Sequence, residues 1–186
     1  MANGLHVASP IHFMLHDLIA MDNFYYFYID YPEIMASLAE RMNSFFEKAL
    51  DAVMACECET FLWGGNYDQS TTYPAFFSKE LVPWLRKAGK RAAAGGKYSI
   101  SHTDGENLDL LPLYPDAGFQ IAESVCSAPM TKTTLKEFRK DFRSFYATEA
   151  IFAKSFFKSR RMAFRPCRRE QKRAIVRNWS SGPKNR

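Results

Sequence analysis

Short apolar runs alternating with longer segments of helical spacing are the feature that most restricts what this chain can fold into. ETFLWGG (59–65), KYSISH (97–102) and FQIAESV (119–125) are brief, and glycine or polar clusters bound them, as buried parallel strands require. NGLHVA (3–8) fits as an earlier strand, which SP at 9–10 ends. Between the runs lie helical stretches. IHFMLHDLIA carries apolar residues on one face, and NFYYFYI fits a second helix. PEIMASLAERMNSFFEKALDAVMA (32–55) places Ile34, Leu38, Met42, Phe45, Phe46, Ala49, Leu50 and Val53 at helical spacing. Asp30 stands before it as the expected N-cap, with Pro32 in the first turn. PAFFSKELVPWLRKAGKRAAA (74–94) reads as a helix kinked at Pro83, LDLLPLYPDA as a short helix closed by Gly118, and TTLKEFRKDF (133–142) as a helix capped by Thr133 or Thr134. Strand, helix, strand, helix repeated in this way argues for parallel βαβ units and an α/β fold. A doubly wound sheet and a barrel both satisfy that pattern.

The charge divides sharply. The whole chain of 186 residues carries a formal +5, but residues 154–186 hold twelve Lys or Arg against the single acid Glu170. The preceding 153 residues hold 13 basic and 19 acidic side chains, the mild acidity common among enzymes of small molecules. A nucleic-acid arm is the weaker reading of the basic tail, because a charge run alone is as often a solvated segment. No eighteen-residue apolar stretch exists, so no membrane span is expected, and the first residues lack a signal-peptide pattern. Cys56, Cys58, Cys126 and Cys167 form no pair of CxxC motifs. They read as free thiols, which places the protein in the cytoplasm, with metal binding at CEC (56–58) as the minor alternative. Gly64-Gly65 and Gly95-Gly96 build no GxGxxG loop, so nucleotide binding has no support.

The chemistry-bearing residues gather at strand ends. His102 and Asp104 close the run at KYSISHTDG, and Glu123 closes FQIAESV. In a parallel fold such ends share one rim, so an imidazole and two carboxylates would converge there, as acid, base or ligands of a divalent metal. The plainer readings are a strand-end histidine bonded to a backbone carbonyl, an Asp-Gly turn with Asp104 capping the next helix and Gly105 at positive φ, and a salt bridge from Glu123 to a Lys or Arg. Asn66, Tyr67 and Asp68 follow the strand ending at Gly65, and His12 and His16 follow the SP turn. These five are the candidate substrate contacts, against the plain reading of 66–68 as an ordinary loop.

At HTDGEN the chain resembles the uroporphyrinogen decarboxylase superfamily, which includes methyltransferases serving corrinoid proteins and coenzyme M. An ordered set of stretches carries the likeness: a strand followed by SPIHF, the DYPE opening of a long helix, PAFFSKELVPWLRK, and GGKYSISHTDGENLDLLPLYPDAGFQIAESVCSAPMTKTTLKEFRK. It covers about residues 5–142. The resemblance implies a (β/α)8 TIM barrel, here a partial one of about four parallel strands over 1–142. It also implies decarboxylation or methyl transfer on a small acidic or tetrapyrrole- or corrinoid-related substrate, and a corrinoid protein as partner. In the methyltransferase branch a His-x-Cys pair holds zinc; this chain keeps His102 but has Asp104 in the cysteine's place, so zinc or another divalent metal would rest on His102 and Asp104. His16 stands where the decarboxylase branch has a substrate-contacting Tyr. Residues 143–186 depart from the family, and a shifted reading frame near 143–147 would explain the change. The expectation is a truncated family member with reduced or no activity. The alternatives are a nonenzymatic homo-oligomer, self-associating through open strand edges, and a nucleic-acid binder acting through the tail.

Overall fold

In the computed structural model, residues 2–141 and 146–148 are described. The chain divides into two units, Met1–Phe152 and Ala153–Arg186, and all described residues lie in the first. The expected tail therefore falls outside the described residues, apart from one short strand.

Five strands form one sheet: β1 (Ala2–Leu5), β2 (Thr60–Trp63), β3 (Tyr98–His102), β4 (Ile121–Glu123) and β5 (Tyr146–Thr148). All neighbouring pairs are parallel and their order follows the sequence. The fifth strand corrects the expectation that the pattern stops after residue 143. It lies where the charge pattern changes, and its three residues carry no period of their own; pairing with β4 defines it.

The helices between strands are α1 (Pro10–Phe13), α2 (Met21–Asp30), α3 (Pro32–Ala55), α4 (Pro74–Phe76), α5 (Val82–Ala94), α6 (Tyr114–Ala117) and α7 (Leu135–Asp141). Ser9 caps α1 by accepting from the His12 N–H at 3.2 Å, and Pro10 fills the first turn. Asp30 does not cap α3: it ends α2, and Tyr31 is the residue between the helices, with Pro32 starting the next turn. The 74–94 segment is helical throughout, with a π turn at Phe77–Leu81 just ahead of Pro83, which sits in the first turn of α5. Thr134 and Glu137 form a reciprocal capping box at α7, with the Thr134 N–H donating to Glu137 Oε2 at 2.7 Å and the Glu137 N–H to Thr134 Oγ1 at 3.3 Å.

Parallel strands in sequence order, joined by right-handed crossovers, place every connecting helix on one face of the sheet. The core agrees. Phe61, Trp63 and Ala122 from the strands share one cluster with Phe24, Phe46, Phe77, Leu85, Tyr114 and Phe138 from the intervening segments. Each buried aromatic there contributes about 2–3 kcal/mol of transfer free energy. Leu62 and Ile100 are also buried but stand outside that cluster. Alternation along a strand assigns them, with His102, to the opposite face.

Candidate functional site

The site is built by strand register. His102 and Glu123, the last residues of β3 and β4, are paired directly across the two strands. Ser101, one residue earlier, points into the helix-side core, where its hydroxyl donates to Tyr67 Oη at 2.9 Å. Alternation therefore sends His102 to the other face, and the same register brings Glu123 beside it. His102 Nδ1 meets Glu123 Oε2 in a short hydrogen bond, and Nε2 stands 3.4 Å from Asp104 Oδ2. Both ring nitrogens of one imidazole are thus faced by carboxylates. Gly65 makes room for the ring. A Cβ there would lie 2.7 Å from His102 Cβ and 3.4 Å from the His6 carbonyl oxygen.

Burial pushes the Glu123 carboxyl up, but hydrogen bonds from His102 and Ser124, and then the charges of His102 and His6, outweigh it. The group is held below its ordinary value. Ser124 Oγ donates to Glu123 Oε1 at 2.7 Å and adopts φ 57°, as Asn66 adopts φ 55° after β2. Left-handed backbone is uncommon for serine and easier for asparagine, and both instances sit just past strand ends on this rim.

Two other acids hold the rim loops. Asp68 Oδ1 accepts from the Ser70 N–H at 2.8 Å, and Oδ2 from the Glu106 N–H at 3.0 Å, tying the loop after β2 to the loop after β3. Glu106 accepts from the Leu108 N–H, the Lys132 N–H and the Thr133 hydroxyl, which ties in the loop after β4. Burial raises the Asp68 and Glu106 carboxyls, but these hydrogen bonds leave both below their ordinary values. Asn107 is fully buried, donates to the Thr103 carbonyl at 3.2 Å and accepts from the Tyr114 hydroxyl. Gly105 is not at positive φ, contrary to the turn expected there. Glycine is needed because a Cβ at that position would lie 2.1 Å from the Tyr67 carbonyl oxygen. The expected helix cap at Asp104 is likewise replaced: Asp104 faces His102, and Glu106 takes the backbone donors.

The candidate substrate contacts divide between the two faces. His12 and Tyr67 are fully buried on the helix side, their rings stacked at 5.6 Å. They are core residues and offer nothing to solvent. His12 Nδ1 accepts from the Ala8 N–H at 3.0 Å, and its buried Nε2 finds no partner. Burial, with His16 adding to it, holds the His12 ring well below the usual imidazole range. His16 packs edge-on to His12 at 4.5 Å. Burial lowers it too, against the opposing effects of Asp17, the Asn66 backbone and Asp104. His16, Asn66 and Asp68 thus lie on the side of the rim that Asp104 reaches, whereas His12 and Tyr67 lie beneath it.

Sequence reasoning missed His6. It directly follows β1, one place beyond the strand-final positions that His102 and Glu123 hold, and its charge lowers the Glu123 carboxyl. Reading the first strand as 3–8 hid it within the run. Cys126 lies near enough to Asp104 for that carboxylate, after burial, to raise its thiol.

The 3.4 Å between His102 Nε2 and Asp104 Oδ2 is about the separation of two ligands on one zinc ion, given bonds of about 2.0 Å in tetrahedral geometry. Yet among the described residues no group of three or more His, Cys, Asp or Glu side chains could hold an ion. The two donors fall short of the three protein ligands that zinc sites use. Cys56, Cys58 and Cys126 are free thiols, and Lys97 Nζ donates to the carbonyls of Cys56 and Cys58. No described helix is long and apolar enough to cross a membrane. No protein-family model, no curated protein and no solved structure matches the chain.

Proposed function

We propose that the chain is a cytoplasmic protein of the uroporphyrinogen decarboxylase type, and that Glu123, His102 and Asp104 form its acid–base centre. The observation supporting this is the imidazole with a carboxylate at each nitrogen, set at the ends of adjoining parallel strands. The sheet order without reversal and the helices on one face suit a segment of a (β/α)8 barrel, whose reacting groups stand at this end.

Glu123 fixes the ring and favours a proton on Nδ1. Nε2 then exchanges a proton with Asp104 or with a bound substrate. In a decarboxylation the carbon–carboxylate bond breaks, carbon dioxide leaves, and the electron pair left on carbon takes a proton from the His102–Asp104 pair. In methyl transfer the same pair would accept the proton of the receiving thiol. A small acidic or tetrapyrrole- or corrinoid-related molecule is the substrate class, with turnover reduced or absent in this chain. No metal step is included, because the described donors do not complete a metal site.

The test is binding of uroporphyrinogen or methylcobalamin to the full chain, followed by histidine NMR signals and, for methylcobalamin, also by its absorption. Binding by one of these that shifts the His102 resonance, and is lost in His102→Ala with the fold retained, supports the proposal. Failure of both ligands to disturb His102 overturns it.

A further inference from the structure

We propose that His6 anchors a carboxylate arm of the ligand, an arm that does not itself react, across a glycine-floored gap from His102. The inference rests on the reading of this rim as the ligand site, and adds to it a residue and the group that residue takes. Its first support is the face His6 presents. Leu5 and Val7 both pack against the helix-side core. Alternation therefore turns His6, the residue between them, to the opposite face, as it turns His102 away from the side that Ser101 takes.

Register then sets His6 level with the acid–base centre. Leu5 pairs with Trp63, Leu62 with Ile100, and His102 with Glu123. One step beyond Leu5 and Trp63, the residues His6, Gly64, His102 and Glu123 stand in one row across four strands. The His102 N–H donates to the Gly64 carbonyl at 3.1 Å within it. His6 and His102 are two strands apart, about 10 Å from backbone to backbone. No side chain of the row fills that interval. Gly64 is left-handed at φ 80°, and the next residue, Gly65, comes between the two histidines. A Cβ on Gly65 would lie 2.7 Å from His102 Cβ and 3.4 Å from the His6 carbonyl oxygen, so it would stand in the gap itself. The charge of His6 also bears on Glu123, beyond His102 in the row, as it does when the row bends into a shallow cup.

The charges along the row choose the group that fits. Both nitrogens of His102 face carboxylates, and Ser124 donates to the other oxygen of Glu123. Asp68 and Glu106 are engaged with backbone N–H groups and a hydroxyl of the rim loops. Among the described residues, no carboxylate lies within ion-pair distance of His6. An imidazole so placed donates to an acceptor, and a carboxylate gives it a counter-charge as well. Glu123 and Asp104 repel an anionic arm from the other end of the row. The ligand is thereby oriented, with its arm at His6 and its reacting atom at His102. A gap of two strand spacings suits a short arm, of the length of a propionate.

The test follows the histidine side-chain nitrogens of the full chain by NMR as propionate is added, with propionamide as the uncharged control. The chain holds four histidines, so single glutamine substitutions assign each signal. Propionate is expected to shift the His6 signal to saturation, while propionamide leaves it unmoved. An unmoved His6 signal, or an equal response to both compounds, overturns the proposal. His6→Gln should weaken uroporphyrinogen binding by about ten-fold, the size of one hydrogen bond to a charged group, and His6→Lys should restore most of the loss. Uroporphyrinogen that shifts His102 with undiminished affinity in His6→Gln removes the anchor and leaves the acid–base reading intact. Propionate that saturates at His6, while uroporphyrinogen and methylcobalamin leave His102 undisturbed, upholds the anchor and removes that reading.

Discussion

Adjacent residues of one strand show how differently the two faces of this sheet use polar groups. Ser101 and His102 are neighbours on β3. Ser101 points into the helix layer, where it is wholly buried and spends its hydroxyl on the Tyr67 phenol. His102 points the other way, keeps a quarter of its side chain exposed and meets two carboxylates. On the helix side polar groups are buried singly among aromatic rings, and on the other they are gathered at one rim. The helix side is arranged for stability; the rim holds titratable groups together at the edge of water, where protons can exchange.

The contrast yields predictions that grow smaller from the buried face to the rim. Trp63 is fully buried between Phe46 and the sheet. Trp63→Ala should cost about 3–5 kcal/mol, enough to unfold a domain of ordinary stability, as read from urea denaturation. Loss of less than about 1 kcal/mol would show that the helix-side core is not the main support.

His12 comes next, because its burial has a definite sign. A ring whose folded pKa lies below its unfolded value of about 6.5 leaves stability fully present above pH 6.5. As pH falls below 6.5 the unfolded chain binds the proton first, and stability declines by about 1.4 kcal/mol per pH unit until the folded pKa is reached. His12→Phe, which can keep the stacking on Tyr67, should remove most of that slope between pH 6.5 and 5. An unchanged slope would locate the acid sensitivity elsewhere.

At the rim the expected effect on stability is smallest. Glu123 is depressed, so its contribution is present above the unfolded carboxyl value and fades as pH falls through the folded one. With a third of the side chain exposed, water screens that contribution to below about 1 kcal/mol. His102→Asn should therefore leave the denaturation midpoint nearly unchanged while the Glu123 carboxyl titrates closer to its ordinary value, as followed by carbon-13 NMR. A large loss of stability would make the rim part of the structural core and erase the contrast between the faces.

Periodicity made the helices legible before any coordinates, α3 above all, because burial of one stripe writes itself into residue spacing. β2, β3 and β4 were legible for a related reason: brief apolar runs between glycines leave few alternatives. The convergence of His102, Asp104 and Glu123 followed from one rule, that parallel strands end on one side. Three features were hidden. β5 exists through its pairing with β4 and has no pattern of its own. Asp-Gly suggests turn geometry at Gly105, whereas the backbone of Tyr67, remote in sequence, is what excludes a side chain there. His12 and Tyr67 read as candidate substrate contacts because nothing local shows that Phe77 and Tyr114 pack on Tyr67 and that His12 stacks on it.

The sequence by itself determined the alternation of strands and helices, the apolar stripe of α3 and the placing of an imidazole and two carboxylates near strand ends, since each is set by local spacing. Tertiary structure alone decided which neighbour each side chain met. The register of β3 on β4, and the face each residue presents, arise only when separate segments pair, and a shift of one residue would have turned His102 into the core and left Ser101 at the rim.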